Sequence, residues 1–412
     1  MNLIYNFSMR LFLVIINLFK NSNPKIKLFV EGRKDVFQEI INFRNSNSNQ
    51  VAWFHVASLG EYEQAKPVIG QLKKEMPEIS IAVSFFSPSG YENAKKKLNS
   101  NIDFIVYLPI DTKKNAEKFI ETLNPTMAFF VKYDLWANYI LEAKKRKVAL
   151  YLFSASMRED QVYFQPFGGF FRRILKSFTH IFTQNERSID LLNQIGVKNC
   201  SLTGDTRFDR VLKIRESPRD FPEIDQFVGD SKTIVIGSAW EEDMNILIPY
   251  INESNGYKFI IAPHEISDII IDGWADKINK ESVKHSEIEK NLGADVLFID
   301  NIGMLSSLYR FAYIAYVGGA FGKGLHNILE PLAFGIPVVF GKVRKPKKFP
   351  EAKISMDYGA SCSVSNLEEL LIIIKELENP ELYNQACSSA NKLVKENLGS
   401  SKKIITQVMM SK

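Results

Sequence analysis

From Val51 onward, short apolar runs bounded by glycine, proline or charged residues alternate with stretches whose apolar positions fall three and four apart. Val51–Ala57, Ile81–Phe85, Phe104–Leu108, Met127–Val131, Ala149–Phe153 and His180–Thr183 have the length and composition of buried strands. A second series follows at Thr233–Gly237, Lys258–Ala262, Val296–Ile299, Tyr313–Val317 and Val338–Phe340. Between the two lies Glu216–Pro222, a polar stretch with two prolines and the best linker candidate. Strand and helix in alternation predict parallel, doubly wound sheets, so the expectation is two Rossmann-like α/β domains facing a cleft. The expected divisions are an N-terminal helix over 1–22, a first domain over 23–215 and a second over 216–412, whose last helices could pack back on the first.

The N-terminus follows a different pattern. Leu3 to Phe19 is nearly all apolar, and Asn6, Arg10, Asn17, Lys20 and Asn21 recur at helical spacing as a narrow polar stripe. No small-residue cleavage site follows, which predicts a helix that is retained. Arg10 would be costly at mid-bilayer, so the pattern fits a helix lying in or dipping into a membrane surface; packing on the protein itself is the alternative. Lys20, Lys25, Lys27, Arg33 and Lys34 come next. Basic residues beside an anchor favour the cytoplasmic leaflet with its anionic lipids.

Composition narrows the classes without choosing among them. With 412 residues, 45% hydrophobic and 24% charged, the chain can bury two full cores. The net charge of +5 is modest and the lysines are scattered, which gives a nucleic-acid partner little support. Three cysteines without a CxxC, and five dispersed histidines without an HExxH, leave no disulfide framework or metal motif.

Candidate chemistry concentrates in two stretches. In Tyr313–Val338 a strand, a loop bearing Gly318, Gly319, Gly322 and Gly324, a helix from about His326 to Phe334 and a second strand follow in one short run. Glycines allow close backbone approach, and free N–H groups at the helix start suit a phosphate; a merely tight strand-helix turn is the alternative. Glu330 could accept hydrogen bonds from a ribose diol. Lys323 is followed by Gly324 and not by Ser or Thr, and Asn327 replaces the last glycine of GxGxxG, so neither common phosphate motif is present. The other stretch is His55-Val56-Ala57-Ser58-Leu59-Gly60-Glu61, which puts Glu61 at the first strand-to-helix turn, where ligands of doubly wound sheets bind. A partly desolvated carboxylate there can act as a general base; a first-turn acid that merely favours the helix dipole is the competing reading. His55, inside the strand, reads as a core residue.

These residues and several others together resemble the 3-deoxy-D-manno-octulosonic acid (Kdo) transferases of lipopolysaccharide core synthesis, inverting glycosyltransferases of the GT-B type. The resemblance runs from about Val51 to Ala352. It rests on Ser58-Leu59-Gly60-Glu61, Ser84–Gly90, Asp134-Leu135-Trp136-Ala137-Asn138, Thr203–Asp209, Pro263-His264, Asp300–Leu305, Gly318-Gly319 and His326–Pro331. It implies Glu61 as proton acceptor, with Ser58, Gly60, Ser87, Trp136 and Asn138 on the acceptor side. It implies CMP contacts at Pro263, His264, Ile302, Gly303, Met304, Gly318, Gly319, Asn327, Ile328, Leu329 and Glu330. Arg207 stands where the family usually has Lys, keeping a positive charge for the leaving group or transition state. Lys132 stands where the family usually has Glu, which leaves Asp134 to carry the acidic function. The implied reaction moves Kdo from CMP-Kdo to a lipid A precursor of the lipid IVA type, at the cytoplasmic face of the inner membrane. No cofactor or metal is implied, and no DxD pair is present. The readings kept open beside it are another GT-B transferase using a UDP-sugar, and a non-catalytic nucleotide-sugar-binding membrane protein.

Overall fold

In a computed structural model, which describes residues 2–97 and 99–411, the chain separates into two compact units. One holds residues up to Arg210 together with Gly399 onward, and the other holds Val211–Leu398. Each is built on a seven-stranded, wholly parallel sheet.

In the first unit β1 (Val51–Val56), β2 (Ser80–Phe85), β3 (Phe104–Tyr107), β4 (Met127–Val131), β5 (Ala149–Ala155), β6 (His180–Thr183) and β7 (Cys200–Leu202) lie in the order β3-β2-β1-β4-β5-β6-β7. Strand order reverses between β1 and β4, and crevices for ligands open at the carboxyl ends of such neighbours. Helices cover both faces, so β1, β2 and β4 are buried along their whole length and read as continuous apolar runs. Aromatic side chains carry much of this core: Trp53, Phe54, Phe85, Phe129, Phe130 and Phe153 are all fully buried. Each such burial is worth roughly 1.5–3 kcal/mol. The last helix, Ser400–Met410, adds Ile404, Ile405 and Val408 to the same core.

In the second unit β8 (Lys232–Ala239), β9 (Tyr257–Pro263), β10 (Ser282–Lys284), β11 (Val296–Phe298), β12 (Ile314–Val317), β13 (Val338–Gly341) and β14 (Ser361–Val364) lie in the order β10-β11-β9-β8-β12-β13-β14. Here the reversal falls between β8 and β12. The expected linker is a helix end at Glu216, a short irregular stretch, and a new helix, Pro222–Val228, with proline at its first position. Three strands have no counterpart among the predicted runs, namely β7, β10 and β14. All three are edge strands, are three or four residues long, and bury their side chains only in part.

The N-terminal segment forms a helix, Asn2–Leu18. Its outward face shows Leu3 (85% exposed), Phe7 (66%) and Leu18 (74%) to solvent. Among the described residues no helix is long and apolar enough to cross a membrane. Arg33, grouped with the membrane-facing cations on sequence, has a different place. Its guanidinium donates to the carbonyls of Phe29, Phe86 and Leu108 and stacks 3.6 Å from the Phe29 ring centroid. Burial pushes its pKa down to about 10, so it is a structural cation and not one of a lipid-facing set.

Candidate functional site

The helix Leu59–Glu75 begins directly behind β1 because Ser58 caps it, its hydroxyl accepting from the Glu61 N–H at 3.4 Å. That turn carries Gly60 and Glu61. The Glu61 carboxylate reaches back to accept from the Ala57 N–H at 2.6 Å. Burial pushes its pKa up to about 7; Asp134 raises it further, and the Ala57 N–H, Lys132 and Ser58 oppose the shift. Lys132 and Asp134 come from the end of β4, the neighbour of β1 across the reversal point.

The β4 turn is tightly drawn. Lys132 sits at φ 59, a left-handed conformation unusual outside glycine, with its N–H donating to Phe153 O at 2.9 Å. Asp134 accepts from Trp136 Nε1 at 3.2 Å, and His55 Nε2 lies 3.5 Å from it. His55 is a core residue, as its place in the strand predicts, with Nδ1 2.9 Å from Ser84 Oγ; yet its other nitrogen reaches the carboxylate that neighbours Glu61. Arg207 binds Asp205 through Nε at 2.8 Å and Nη2 at 2.7 Å, and Gln64 Nε2 donates to Asp205 from the Glu61 helix at 3.4 Å. Burial would raise the Asp205 pKa, but Arg207 and, more weakly, Lys132 hold it below the usual carboxylate range. Glu61, Asp134, Lys132, Asp205 and Arg207 thus form one electrostatic cluster with two unlike acids, one pushed up and one held down. Such separation is how one site can offer a base at neutral pH.

Of the other acceptor-side candidates, Ser87 caps the helix Pro88–Lys96 and Trp136 packs on Phe86, centroids 4.5 Å apart. Asn138 spends its amide on Asp111 O (2.6 Å) and Asn6 Oδ1 (3.0 Å), so it ties the N-terminal helix to the β4 loop.

The glycine-rich stretch after β12 departs from its expected form in two ways. The helix expected over His326–Phe334 is one turn, Leu329–Ala333, with Asn327 Oδ1 accepting from the Leu329 N–H at 3.3 Å. Nor are the amides of Gly318 and Gly319 free to meet a phosphate. Gly318 N–H donates to Gly237 O at 2.9 Å, and Gly319 N–H donates to the Asp243 carboxylate at 2.8 Å. A Cβ at Gly318 would fall 2.5 Å from Ser238 O and 2.6 Å from Asp243 Oδ2. The protein's own carboxylate fills the close approach that the glycines permit.

Asp243 was not among the candidates, although it occupies the first turn of the helix behind β8, the same address in its unit as Glu61. Fully buried, it also accepts from Trp240 N–H (3.0 Å) and Tyr316 OH (3.0 Å). Beside it Trp240, His264 and His326 stack in series, with ring centroids 4.3 and 4.4 Å apart. Trp240 Nε1 donates to His326 Nε2 at 3.1 Å. Burial, helped by His264, lowers the His326 pKa to about 4, and burial also lowers that of His264, so this stack is uncharged at pH 7. Pro263 ends β9 beside it, and Glu330 accepts from Asn327 Nδ2 at 3.0 Å. Ile302, Gly303 and Met304 form the turn after β11; Gly303 has φ +95 and its carbonyl accepts from Arg219 at 3.1 Å. Among the described residues no group of three or more His, Cys, Asp or Glu could hold a metal ion.

Comparison with known proteins gives this geometry a setting. Residues 34–210 match the family model described as 3-deoxy-D-manno-octulosonic-acid transferase (kdotransferase). The chain is similar to the 3-deoxy-D-manno-octulosonic acid transferase of Chlamydophila psittaci, 27% identical over 353 residues that cover 80% of this chain and 78% of that protein. It is similar also to that of Aquifex aeolicus, 28% identical over 341 residues covering 80% of this chain and 87% of the other. Among solved structures, the UDP-GlcNAc 2-epimerase of Methanocaldococcus jannaschii superposes with a TM-score of 0.57 over 84% of this chain and 99% of its own, at 14% identity. The last likeness is one of fold alone.

Proposed function

We propose that this chain, which matches the 3-deoxy-D-manno-octulosonic-acid transferase model over residues 34–210 and resembles the transferases of that name along most of its length, moves Kdo from CMP-Kdo to a lipid A precursor of the lipid IVA type, with inversion at the anomeric carbon. The observation that carries the reading is Glu61, a carboxylate at the reversal point of its sheet, desolvated and set beside Asp134 so that it ionises near pH 7. In the proposed step a Glu61 oxygen takes the proton of an acceptor hydroxyl. The hydroxyl oxygen forms a bond to the anomeric carbon, the bond from that carbon to the phosphate oxygen breaks, and CMP leaves with the electron pair. Positioned acid-base catalysis of this kind contributes about 10²–10⁴-fold.

In this reading the second unit binds the nucleotide through Pro263, His264, the Ile302–Met304 turn and Asn327–Glu330, and Arg207 balances charge on the donor. Glu330 is offered to the ribose hydroxyls; Gly318 and Gly319 contribute shape, since their N–H groups are already bonded. The apolar outer face of the helix Asn2–Leu18 supports a seat on the cytoplasmic face of the inner membrane. Incubation with CMP-Kdo and a lipid A precursor, followed by mass analysis, tests the whole assignment. The expected product is the acceptor heavier by one or more Kdo residues. No transfer, or equal transfer from a UDP-sugar, overturns it.

A further inference from the structure

A recess of about 500 Å³ lies in the first unit between the helices Asn2–Leu18, Pro24–Glu31 and Pro88–Lys96, lined by Phe12, Ile16, Ile26, Leu28, Phe29 and Pro88. Its polar lining residues are Lys25, Ser89 and Glu92. We propose that this recess holds one acyl chain of the lipid acceptor and thereby presents the acceptor's sugar to Glu61. The proposal rests on the function proposed above.

Three features favour an acyl chain as the occupant. The N-terminal helix is apolar on two opposite faces. Leu3, Phe7, Leu11, Val14 and Leu18 recur three and four apart and are exposed, whereas on the other side Tyr5 packs on the core and the part-exposed Phe12 and Ile16 line the recess. An acyl chain can pass from lipid on one side to the recess on the other while staying against apolar surface throughout. The recess is also held in shape. Its floor, Phe29, is backed by the buried Arg33 guanidinium, and its roof helix is pinned by Tyr5 OH donating to Asp111 at 2.5 Å and by Asn6 bonded to Asn138 at 3.0 Å. A preformed cavity avoids the ordering cost of a surface that must close around its ligand.

Finally, a relay of aromatic contacts joins the wall of the recess to the carboxylates. Phe29 meets Phe86 at 5.2 Å, Phe86 meets Trp136 at 4.5 Å, and Trp136 donates to Asp134. The first turn of the helix carrying Ser89 abuts that of the helix carrying Glu61, since a Cβ on Gly90 would lie 3.3 Å from Leu59 N. In the proposal, an amphiphile with its tail among Phe12, Ile16 and Ile26 directs its polar head toward the end of β1 where Glu61 stands.

The test uses full-length Ile16→Trp, and Ile26→Trp as a second way to fill the recess, with melting temperature and CMP binding confirming the fold. Kdo transfer is measured to a tetra-acylated lipid A precursor and to its fully deacylated form, and retention is measured on phosphatidylglycerol vesicles. The wild type should show a lower KM for the acylated acceptor. Filling the recess should raise that KM about tenfold, the loss when roughly two methylenes leave an apolar site. The KM for the deacylated acceptor, kcat and vesicle retention should stay unchanged. Equal KM values for both acceptors in the wild type overturn the proposal, as does an unchanged acyl preference in both variants. Loss of vesicle retention with the acyl preference intact also overturns it, because the recess then holds bilayer lipid. Failure of the wild type to transfer Kdo to either acceptor instead removes the underlying function, and the acyl site with it.

Discussion

Glu61 and Asp243 occupy equivalent places, each in the first turn of the helix that follows the first strand of its unit, beside the point where strand order reverses. Their surroundings differ. Asp243 is fully buried and accepts three hydrogen bonds, from Gly319, Trp240 and Tyr316. Glu61 is partly accessible, accepts from the Ala57 N–H, and faces a second carboxylate, Asp134. Burial raises the pKa of both, and each has a like-charged neighbour that adds to it, Asp134 for Glu61 and Glu242 for Asp243; what sets Glu61 apart is its path to solvent and its fewer hydrogen bonds. One address in the fold thus holds a part-exposed acid suited to the proposed chemistry in the first unit and a fully bonded structural acid in the second, and the surroundings make the difference.

The comparison can be broken by substitution. The largest effect should come from Glu61→Gln, which keeps the shape and the bond from Ala57 but cannot take a proton: turnover should fall by roughly 10²–10⁴-fold with CMP affinity unchanged. The same variant has a stability signature with a definite sign. Because the folded pKa is raised from 4.5 to about 7, the unfolded chain ionises first as pH rises, and the wild type loses stability between those values. Glu61→Gln should therefore match the wild-type melting temperature at pH 4 and exceed it at pH 8. A first-turn acid that only favours the helix dipole would give the opposite result, a loss of up to about 1 kcal/mol with normal turnover.

A smaller effect is expected at the nucleotide. Glu330→Ala should weaken CMP binding by about 1.5–3 kcal/mol, the worth of a hydrogen bond to a charged group, and calorimetry reads this directly. Smaller again, and on stability instead of binding, is Gly318→Ala. The new methyl would meet Ser238 O and the Asp243 carboxylate at about 2.5 Å, and overpacking of this kind costs roughly 1–3 kcal/mol in denaturant titration.

The fold was legible wherever a strand is buried on both faces, because helices on either side force an unbroken apolar run. β1, β4 and β6 appear in the sequence to within a residue of their ends. The edge strands β7, β10 and β14 were not legible. Runs such as Ser282-Val283-Lys284 carry no apolar excess, and their pairing is fixed by a neighbour that sequence pattern does not reveal. At the candidate site, a first-turn acid behind an apolar strand marked Glu61 as one of two things, a helix-dipole acid or a base, and the family resemblance is what implied the second. The same signal, Trp240-Glu241-Glu242-Asp243 behind β8, was present for Asp243. The glycines at 318 and 319 point to an external anion on sequence alone, whereas the internal Asp243 meets the same need. The burial of His55 was legible from its place in the strand, but its contact with Asp134 was not, since that contact joins β1 to the turn after β4.

The central claim is that Glu61 ionises near neutrality under the influence of Asp134 and takes the acceptor's proton. The most direct measurement is the pH dependence of kcat/KM for Kdo transfer in the wild type, Asp134→Asn and Glu61→Gln. The account predicts a wild-type rate that climbs with pH and levels off above about 7, a midpoint moved to lower pH in Asp134→Asn where the repelling charge is gone, and a slow, flat profile in Glu61→Gln. A Glu61→Gln enzyme that keeps the wild-type rate and the same acidic limb would contradict it.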